Sequence, residues 1–152
     1  MSKEELKELL LSWDATLQIE EDSEFLQVVV QKENLLKFCK SLKNDPKTKF
    51  DYLFCVIGMD WGKELGVIYH LESTTLKHEL VVKVKTEDRE NPELDSVWEV
   101  WRTAELHEME VFDFFGITFK NHPNLKRLFL TPEWTGYPLR KDYVDEANMV
   151  IK

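Results

Sequence analysis

Three carboxylates in the segment from His107 to Tyr143 have the residue types and the close spacing that acid–base chemistry uses. Glu108, Glu110 and Asp113 lie within six consecutive positions. Acid–base catalysis needs two carboxyl groups a few ångströms apart, in surroundings that shift their pKa values in opposite directions. In a chain with 29 acidic residues among 152, acids at such spacings are commonplace. We therefore expect these carboxylates to orient or cap within the fold, or to pair with basic groups of a partner.

Metal binding and covalent catalysis have less support in the sequence. His107, Glu108 and His122 lack the spacing of a zinc peptidase, which needs a second His one helical turn after the first, where this chain has a valine. Cys39 and Cys55 form no C-x-x-C pair, and there is no G-x-S-x-G elbow. We expect both thiols to be buried apolar residues in a reducing compartment, and no metal or cofactor in the chain.

Aromatic and basic residues of the same segment suggest binding surfaces. The large aromatics could stack on a flat ligand such as a nucleotide or quinone, but core or partner contacts are their commoner use. They are Phe112, Phe114, Phe115, Phe119, Phe129 and Trp134. The pairs Lys126-Arg127 and Arg140-Lys141 could hold phosphates, but no Gly-rich phosphate loop accompanies them. Salt bridges within the fold or to another protein fit better, because arginine pairs well with buried carboxylates.

Length and charge limit the classes of function. A chain of 152 residues suits one domain with a substantial core. Its formal charge of -9 argues against broad binding to nucleic acid or acidic lipid. No apolar run approaches the roughly 20 residues that span a bilayer, and the acidic start lacks the features of a signal peptide. We expect a cytosolic or peripheral chain, with no direct membrane insertion.

Periodicity predicts the first elements that must position these side chains. Ser2 and Glu5 form a capping-box pair, followed by leucines at helical spacing that predict a first helix. Residues 16–19 and 25–30 are β-prone and predict a hairpin. A second helix is predicted over residues 33–43.

Three further strands should complete the sheet. Residues 52–59 are apolar on both alternating faces and predict a central strand covered on both sides. A β-prone run at 65–71 follows, and then Leu80, Val82 and Val84 alternate with polar residues, as in a strand with one wet face. Short connections suggest an antiparallel meander. The order α-β-β-α-β-β-β predicts an α+β fold of two layers, a mixed sheet with helices packed on it.

The last part of the chain changes character. Residues 87–95 are charged and predict a mobile surface loop, after which Ser96 and Glu99 predict a helix start. That helix should run to about Phe115 and end at Gly116, with Glu110 and Asp113 on one face and Glu108 toward another. Beyond it the pattern is irregular and rich in proline. We divide the chain into a core at residues 1–117 and a C-terminal arm at 118–152, which is too irregular to make its own core.

A longer signature joins the residues singled out above. It reads E-x-E-x-x-D-F-F-G-I at 108–117, H-P-x-L-K-R-L-F-L at 122–130 and W-x-G-x-P-L-R-K-D-Y at 134–143. The signature resembles that of the C-type subunit of proton-pumping NADH:quinone oxidoreductase, respiratory complex I. Its polar and aromatic positions are Glu108, Glu110, Asp113, His122, Arg127, Trp134, Arg140, Lys141, Asp142 and Tyr143. The chain departs from the family pattern at Met109, where an arginine is usual, and at Val144, where a proline commonly stands.

The resemblance implies a hydrophilic subunit in the peripheral arm of the complex. It would be a peripheral protein on the cytoplasmic side of the cell (inner) membrane. Such a subunit carries no flavin, iron–sulfur cluster or quinone site and packs against the larger D-type subunit. NADH, FMN, the clusters and quinone would belong to partner subunits, and quinone reduction would be coupled to proton translocation. The isolated chain would have no catalytic activity.

The same resemblance suggests a role for the C-terminal arm. We hypothesise that residues 118–143 are largely interface, anchored by Arg127, Trp134, Arg140 and Tyr143. Charge reversal at Arg140 should then weaken partner binding and leave the melting temperature nearly unchanged.

Two alternatives stay open. One is a homologous subunit of a membrane-bound energy-converting hydrogenase or of a ferredoxin- or coenzyme-F420-linked dehydrogenase, which neighbouring genes would distinguish. The other is a free-standing hydrolase that uses Glu110 and Asp113, which would turn over a substrate when purified alone.

Overall fold

Two helices and a hairpin form the first part of the chain, as the sequence predicts. The structure is a computed structural model that describes residues 2–20, 24–130 and 134–143. Helix α1 spans Lys3–Trp13, and its N-cap Ser2 accepts a hydrogen bond from the Glu5 N–H at 3.2 Å. Strands β1 (Gln18–Glu20) and β2 (Gln27–Val30) pair antiparallel. A 3-10 turn, Lys32–Asn34, leads into helix α2 at Leu35–Asn44.

A mixed five-stranded sheet forms the second layer. Strands β3 (Tyr52–Asp60), β4 (Leu65–Ser73) and β5 (His78–Thr86) make the predicted antiparallel meander. Strand β2 joins it parallel to β5, so the spatial order is β1-β2-β5-β4-β3. The α+β prediction, the element order and the mixed sheet are confirmed.

The prediction of a central strand at 52–59 is wrong. Strand β3 lies at the edge of the sheet, and it is β5 that lies in the middle. The outer face of β3 is apolar but exposed, with Tyr52 at 45% and Ile57 at 41%. Apolar residues on both faces are typical of a strand covered twice. Here the helices cover only the inner face, where Leu53 and Val56 are buried.

Residues 87–95 are more ordered than the loop prediction allowed. Strand β6 (Glu93–Asp95) pairs in parallel with strand β7 (Thr118–Lys120), which follows the last helix. The Asp88 carboxylate accepts from the N–H groups of Glu90 and Asn91. This polar segment is held by pairing and by side-chain caps, which hydrophobic periodicity does not register.

The last helix begins later than predicted. Helix α3 spans Ala104–Phe115, and residues 97–103 form turns. The Ser96 hydroxyl donates to Glu108 at 2.6 Å and so takes no part in a capping box with Glu99. The predicted end is confirmed: Gly116 is the C-cap, with φ of +75° in the left-handed region that glycine tolerates.

A single hydrophobic cluster joins the helices to the inner face of the sheet. Leu10 of α1, Leu35 of α2 and Leu80 of β5 are fully buried in it. Cys39 is buried there too, as expected. Cys55 is only half-buried because it lies on the edge strand, so the prediction that both thiols are buried is wrong for this one.

Candidate functional site

Asp113 is the centre of a hydrogen-bond nest that holds the C-terminal arm. Its Oδ2 accepts from three successive backbone N–H groups, those of Leu128 (3.1 Å), Phe129 (2.6 Å) and Leu130 (3.0 Å), and its Oδ1 accepts from Arg127 at 3.1 Å. Burial by itself would raise the pKa of Asp113, but these donors outweigh it and hold the pKa below its usual value. Asp113 is therefore a buried anion that fixes the backbone of the arm.

Arg127 extends this nest to the second part of the arm. Its guanidinium donates to the Asp113 carbonyl at 2.5 Å, to the Gly136 carbonyl at 2.9 Å and to the Trp134 carbonyl at 3.3 Å. It also lies over the Tyr137 ring, 4.7 Å from the centroid. One side chain thus links helix α3 to two separate stretches of the arm.

Asp60, at the end of strand β3, is a second buried anion that binds the arm. Arg89 donates to both of its oxygens, at 2.7 and 2.8 Å, and the backbone N–H groups of Gly62 and Lys141 complete its shell. Arg89 also reaches Asp142 at 3.2 Å. The bond from Arg89 holds the pKa of Asp60 well below its usual range, against the effect of burial. These bonds hold Lys141 and Asp142 of the arm next to Asp60 and Arg89.

The end of helix α3 receives the arm through its last carbonyls. The last carbonyls of a helix find no N–H donor within the helix itself. Here the Phe115 carbonyl accepts from Arg140 Nε at 2.5 Å, and the Phe114 carbonyl accepts from the Leu139 N–H at 3.0 Å. Arg140 also donates to the Arg89 carbonyl at 3.0 Å.

These contacts tie the arm to the domain, although the sequence predicts that the arm is too irregular to make its own core. Its described residues, up to 143, are fixed by polar contacts to helix α3 and strand β3. Periodic apolar packing is not required for that. The rest of the arm, with Val144, lies outside the described residues.

Glu108 is buried apart from this arrangement, between α3 and the turn that precedes it. It is 0% exposed, and its carboxylate accepts from the Ser96 hydroxyl and from the Val97 N–H at 3.0 Å. Burial raises the pKa of Glu108 to about 7, although both hydrogen bonds oppose that shift. Met109 beside it is also buried.

The three carboxylates do not form an acid–base pair. Glu108 and Asp113 have pKa values shifted in opposite directions, as a catalytic pair requires. Five residues apart on a helix, they lie about 140° from each other around its axis, and their partners are different segments. Glu110 is exposed, so it does not share the surroundings of Asp113 as the sequence suggested. The positions of these three side chains give the hydrolase hypothesis no support.

The remaining signature residues make local contacts. His122 Nε2 lies 2.9 Å from the Glu105 carbonyl, and its Nδ1 accepts from the Asn124 N–H at 3.0 Å, so the proton is on Nε2. The Tyr143 N–H donates to the Arg140 carbonyl at 3.2 Å. Across residues 2–20, 24–130 and 134–143, no group of three or more His, Cys, Asp or Glu side chains could hold a metal ion. In that same part of the chain, none of the helices is long and apolar enough to cross a bilayer.

Several large apolar side chains of the arm face outward. Phe129 is 63% exposed and Leu139 56% exposed, and both adjoin Phe114. The rings of Phe129 and Phe114 stack at 5.8 Å. We call Phe114, Phe129 and Leu139 the arm patch. Trp134 and Leu128 are also exposed.

Sequence reasoning missed three residues of this arrangement. The sequence predicts a helix cap at Ser96 and a loop around Arg89, and it assigns no role to Asp60. The local signal that could have found Asp60 is its place at the end of an otherwise apolar strand. Its pairing with Arg89 spans 29 positions, which no local pattern reveals.

The fold and these contacts define a class: a two-layer α+β domain with a C-terminal arm tied to it through two buried carboxylates. The family model described as respiratory-chain NADH dehydrogenase, 30 kDa subunit, matches residues 28–148. The chain belongs to this family, which confirms the resemblance drawn from the signature.

Individual relatives agree with the family. The chain is 52% identical over 99 residues to an NADH-quinone oxidoreductase polypeptide of the fused C/D type from Phocaeicola vulgatus, covering 64% of this chain and 19% of that protein. It is 39% identical over 132 residues to a C-type subunit of the NADH-quinone oxidoreductase of Roseiflexus castenholzii, covering 85% of this chain and 75% of that one. The chain thus spans only about a fifth of the C/D relatives.

A solved structure shares the fold. It is the structure of the membrane-bound sulfane sulfur reductase, an archaeal respiratory membrane complex. A chain in it superposes with a TM-score of 0.79 at 25% identity, covering 95% of this chain and 86% of that one.

Proposed function

We propose that the chain is a structural subunit of an NADH:quinone oxidoreductase, that it carries no redox group and that it packs against the larger D-type subunit. The observation that carries this proposal is the C/D relative that is 52% identical, in which the matched region takes up 19% of one longer polypeptide. Two domains encoded in one chain are held at a high effective concentration, which favours a direct contact between them.

The geometry of the signature residues supports a positional role. Asp113, Arg127 and Arg140 shape the arm, and Glu108 holds the turn before helix α3. Each uses its polar atoms to fix backbone, which is how a domain presents a defined surface to a neighbour. The use of Arg127, Trp134, Arg140 and Tyr143 as partner contacts stays a prediction.

In this proposal the chemistry belongs to partner subunits. Electrons pass there from NADH through FMN and iron–sulfur clusters to quinone, coupled to proton translocation, on the cytoplasmic side of the membrane. The chain contributes by holding its neighbour in place, and small displacements of positioned groups have large effects on rates. Isolated, it turns over no substrate.

Purification from native membranes tests the proposal. The chain would be tagged at its N-terminus, away from the arm, and isolated in mild detergent, with the untagged strain as control. Native mass spectrometry should identify the D-type subunit together with flavin-binding and NADH-binding subunits. Recovery of the chain alone, in an amount matching its membrane content, would refute it.

A second candidate is favoured by the structural likeness to the archaeal complex. It is the homologous subunit of a related membrane-bound complex, such as an energy-converting hydrogenase or a ferredoxin- or F420-linked dehydrogenase. The TM-score of 0.79 shows that the fold also occurs in a respiratory complex of another name. Copurification of hydrogenase-type subunits in place of an NADH-binding one would favour this candidate.

A further inference from the structure

Phe129 combines strong exposure with a fixed backbone. Its side chain is 63% exposed, yet its N–H group makes the shortest hydrogen bond to the Asp113 carboxylate, at 2.6 Å. The N–H groups on either side, from Leu128 and Leu130, bind the same carboxylate oxygen. A single exposed apolar residue is ordinary, but this ring stacks on Phe114, and the carbonyl of Phe114 accepts from the N–H of the exposed Leu139. Contiguous apolar surface of this kind marks interaction sites.

The nest lowers the cost of binding through this surface. Ordering a loop at an interface opposes association, because backbone and side-chain freedom is lost at that moment. Three successive N–H groups on one buried carboxylate order residues 128–130 when the domain folds. Phe129 is therefore presented to a partner with its backbone already in place.

Charge indicates what kind of surface would receive it. Residues 118–143 contain five Lys and Arg residues and two acidic ones, in a chain whose net charge is -9. Arg127 is neutralised by Asp113, whereas Lys120, Lys126 and Lys141 are exposed. An exposed apolar group on an arm with this excess of basic residues fits an apolar pocket with an acidic rim.

We propose that Phe129 is the anchor of the arm patch, that it inserts into an apolar pocket with an acidic rim on the D-type subunit, and that Asp113 is the positioning residue that presents it. This inference rests on the proposed function, because the occupant is the neighbour that the C/D relatives carry in the same polypeptide. A second copy of this chain is a less suitable partner. Its domain carries most of the acidic charge, but the carboxylates of Asp113 and Asp60 are already bonded to its own arm.

Titration of the full-length chain with the D-type subunit of the same organism tests the anchor. Phe129→Ala should raise Kd about 30-fold, which is about 2 kcal/mol at 1.4 kcal/mol per tenfold, because truncation of an interface anchor has at least this effect. Phe129→Leu should restore most of the affinity. Ile57→Ala on the outer face of strand β3, also exposed, is the matched control and should bind as the wild type does.

A double-mutant cycle tests the positioning role of Asp113. Asp113→Asn should weaken binding strongly in the wild-type background and only slightly on top of Phe129→Ala, because it acts through that ring. A melting curve of each variant shows whether the domain is folded. Lys126→Glu tests the acidic rim separately: it should weaken binding at low salt more than at high salt, and Lys47→Glu, outside the arm, should not.

The outcomes separate this inference from the proposed function. Absence of any binding between the wild-type chain and the D-type subunit contradicts the proposed function itself. Wild-type affinity in Phe129→Ala, or independent effects of Asp113→Asn and Phe129→Ala, overturns the anchor while the family role as a structural subunit stands. Loss of self-association in Phe129→Ala, with binding to the D-type subunit intact, assigns the arm patch to a second copy and also overturns it.

Discussion

Glu108→Gln should remove a pH dependence of stability that the buried carboxyl imposes on the fold. Burial raises the pKa of Glu108 from 4.5 to about 7. The folded protein therefore holds this proton at pH values where the unfolded chain has already released it. The stabilisation by protonation is fully present below about pH 4.5 and is lost as the pH rises through about 7.

The magnitude follows from the size of the shift. Each pKa unit corresponds to 1.36 kcal/mol, so a rise from 4.5 to about 7 amounts to roughly 3 kcal/mol in all. Between pH 5 and pH 8 the free energy of unfolding should fall by roughly 2.5 kcal/mol through this group. Glutamine can keep both hydrogen bonds, by donating to the Ser96 hydroxyl and accepting from the Val97 N–H, without a charge to desolvate.

Urea unfolding of the wild type and the variant at four pH values from 5 to 8 measures the effect. The difference between the two free energies of unfolding should change by roughly 2.5 kcal/mol across this range. Contributions from groups that both proteins share cancel in the difference. Glu110→Gln, an exposed neighbour on the same helix, is the matched control and should keep the wild-type slope. A difference that is constant with pH would contradict a raised pKa of Glu108 in the folded protein. Loss of quinone reduction in an intact complex with Glu108→Gln would make Glu108 a functional acid.

Three further substitutions test the contacts of the arm. Arg140→Glu should lower the melting temperature of the isolated chain by several degrees, since it removes hydrogen bonds to two backbone carbonyls. An unchanged melting temperature would restore the expectation from sequence that this residue contacts only a partner. Asp60→Asn should cost about 3 kcal/mol, because it removes the buried charge partner of Arg89 and leaves only the exposed Asp142. The wild type should lose the same stability as the pH falls below about 4, because the pKa of Asp60 is lowered; equal acid-unfolding midpoints in the two proteins would contradict this. Gly116→Ala should lower the free energy of unfolding by about 1–2 kcal/mol for the left-handed backbone, and by more because the new Cβ would meet the Tyr137 ring at 2.5 Å. A decrease under about 0.5 kcal/mol in urea unfolding would argue against this.

Local signals predicted the elements that local interactions determine. The Ser2 cap, the leucines of helix α1 and the Gly116 end of helix α3 are set by neighbours within a turn or two of the chain, and all three were predicted correctly. The failures have a common cause. Glu108 takes the Ser96 hydroxyl, so the start of helix α3 depends on a residue twelve positions away.

Tertiary position also explains the error at strand β3. Its composition indicates burial on both faces, but the number of layers above a strand is a property of the whole fold, and here the outer face carries no layer among the described residues. The candidate site was likewise predicted in part by the sequence and in part visible only in the tertiary structure. The signature picked out Asp113, Arg127 and Arg140, and their partners Phe129, Gly136 and Phe115 became visible only in three dimensions.

We propose that this chain is a cofactor-free structural subunit whose arm contacts a redox-active neighbour. Electron cryo-microscopy of the complex purified through a tag on this chain tests it most directly. We expect residues 118–143 to lie against the D-type subunit, with Phe129 buried in the contact and all cofactor density in other subunits. An arm that faces solvent in the assembled complex, or a prosthetic group bound inside this domain, would contradict it.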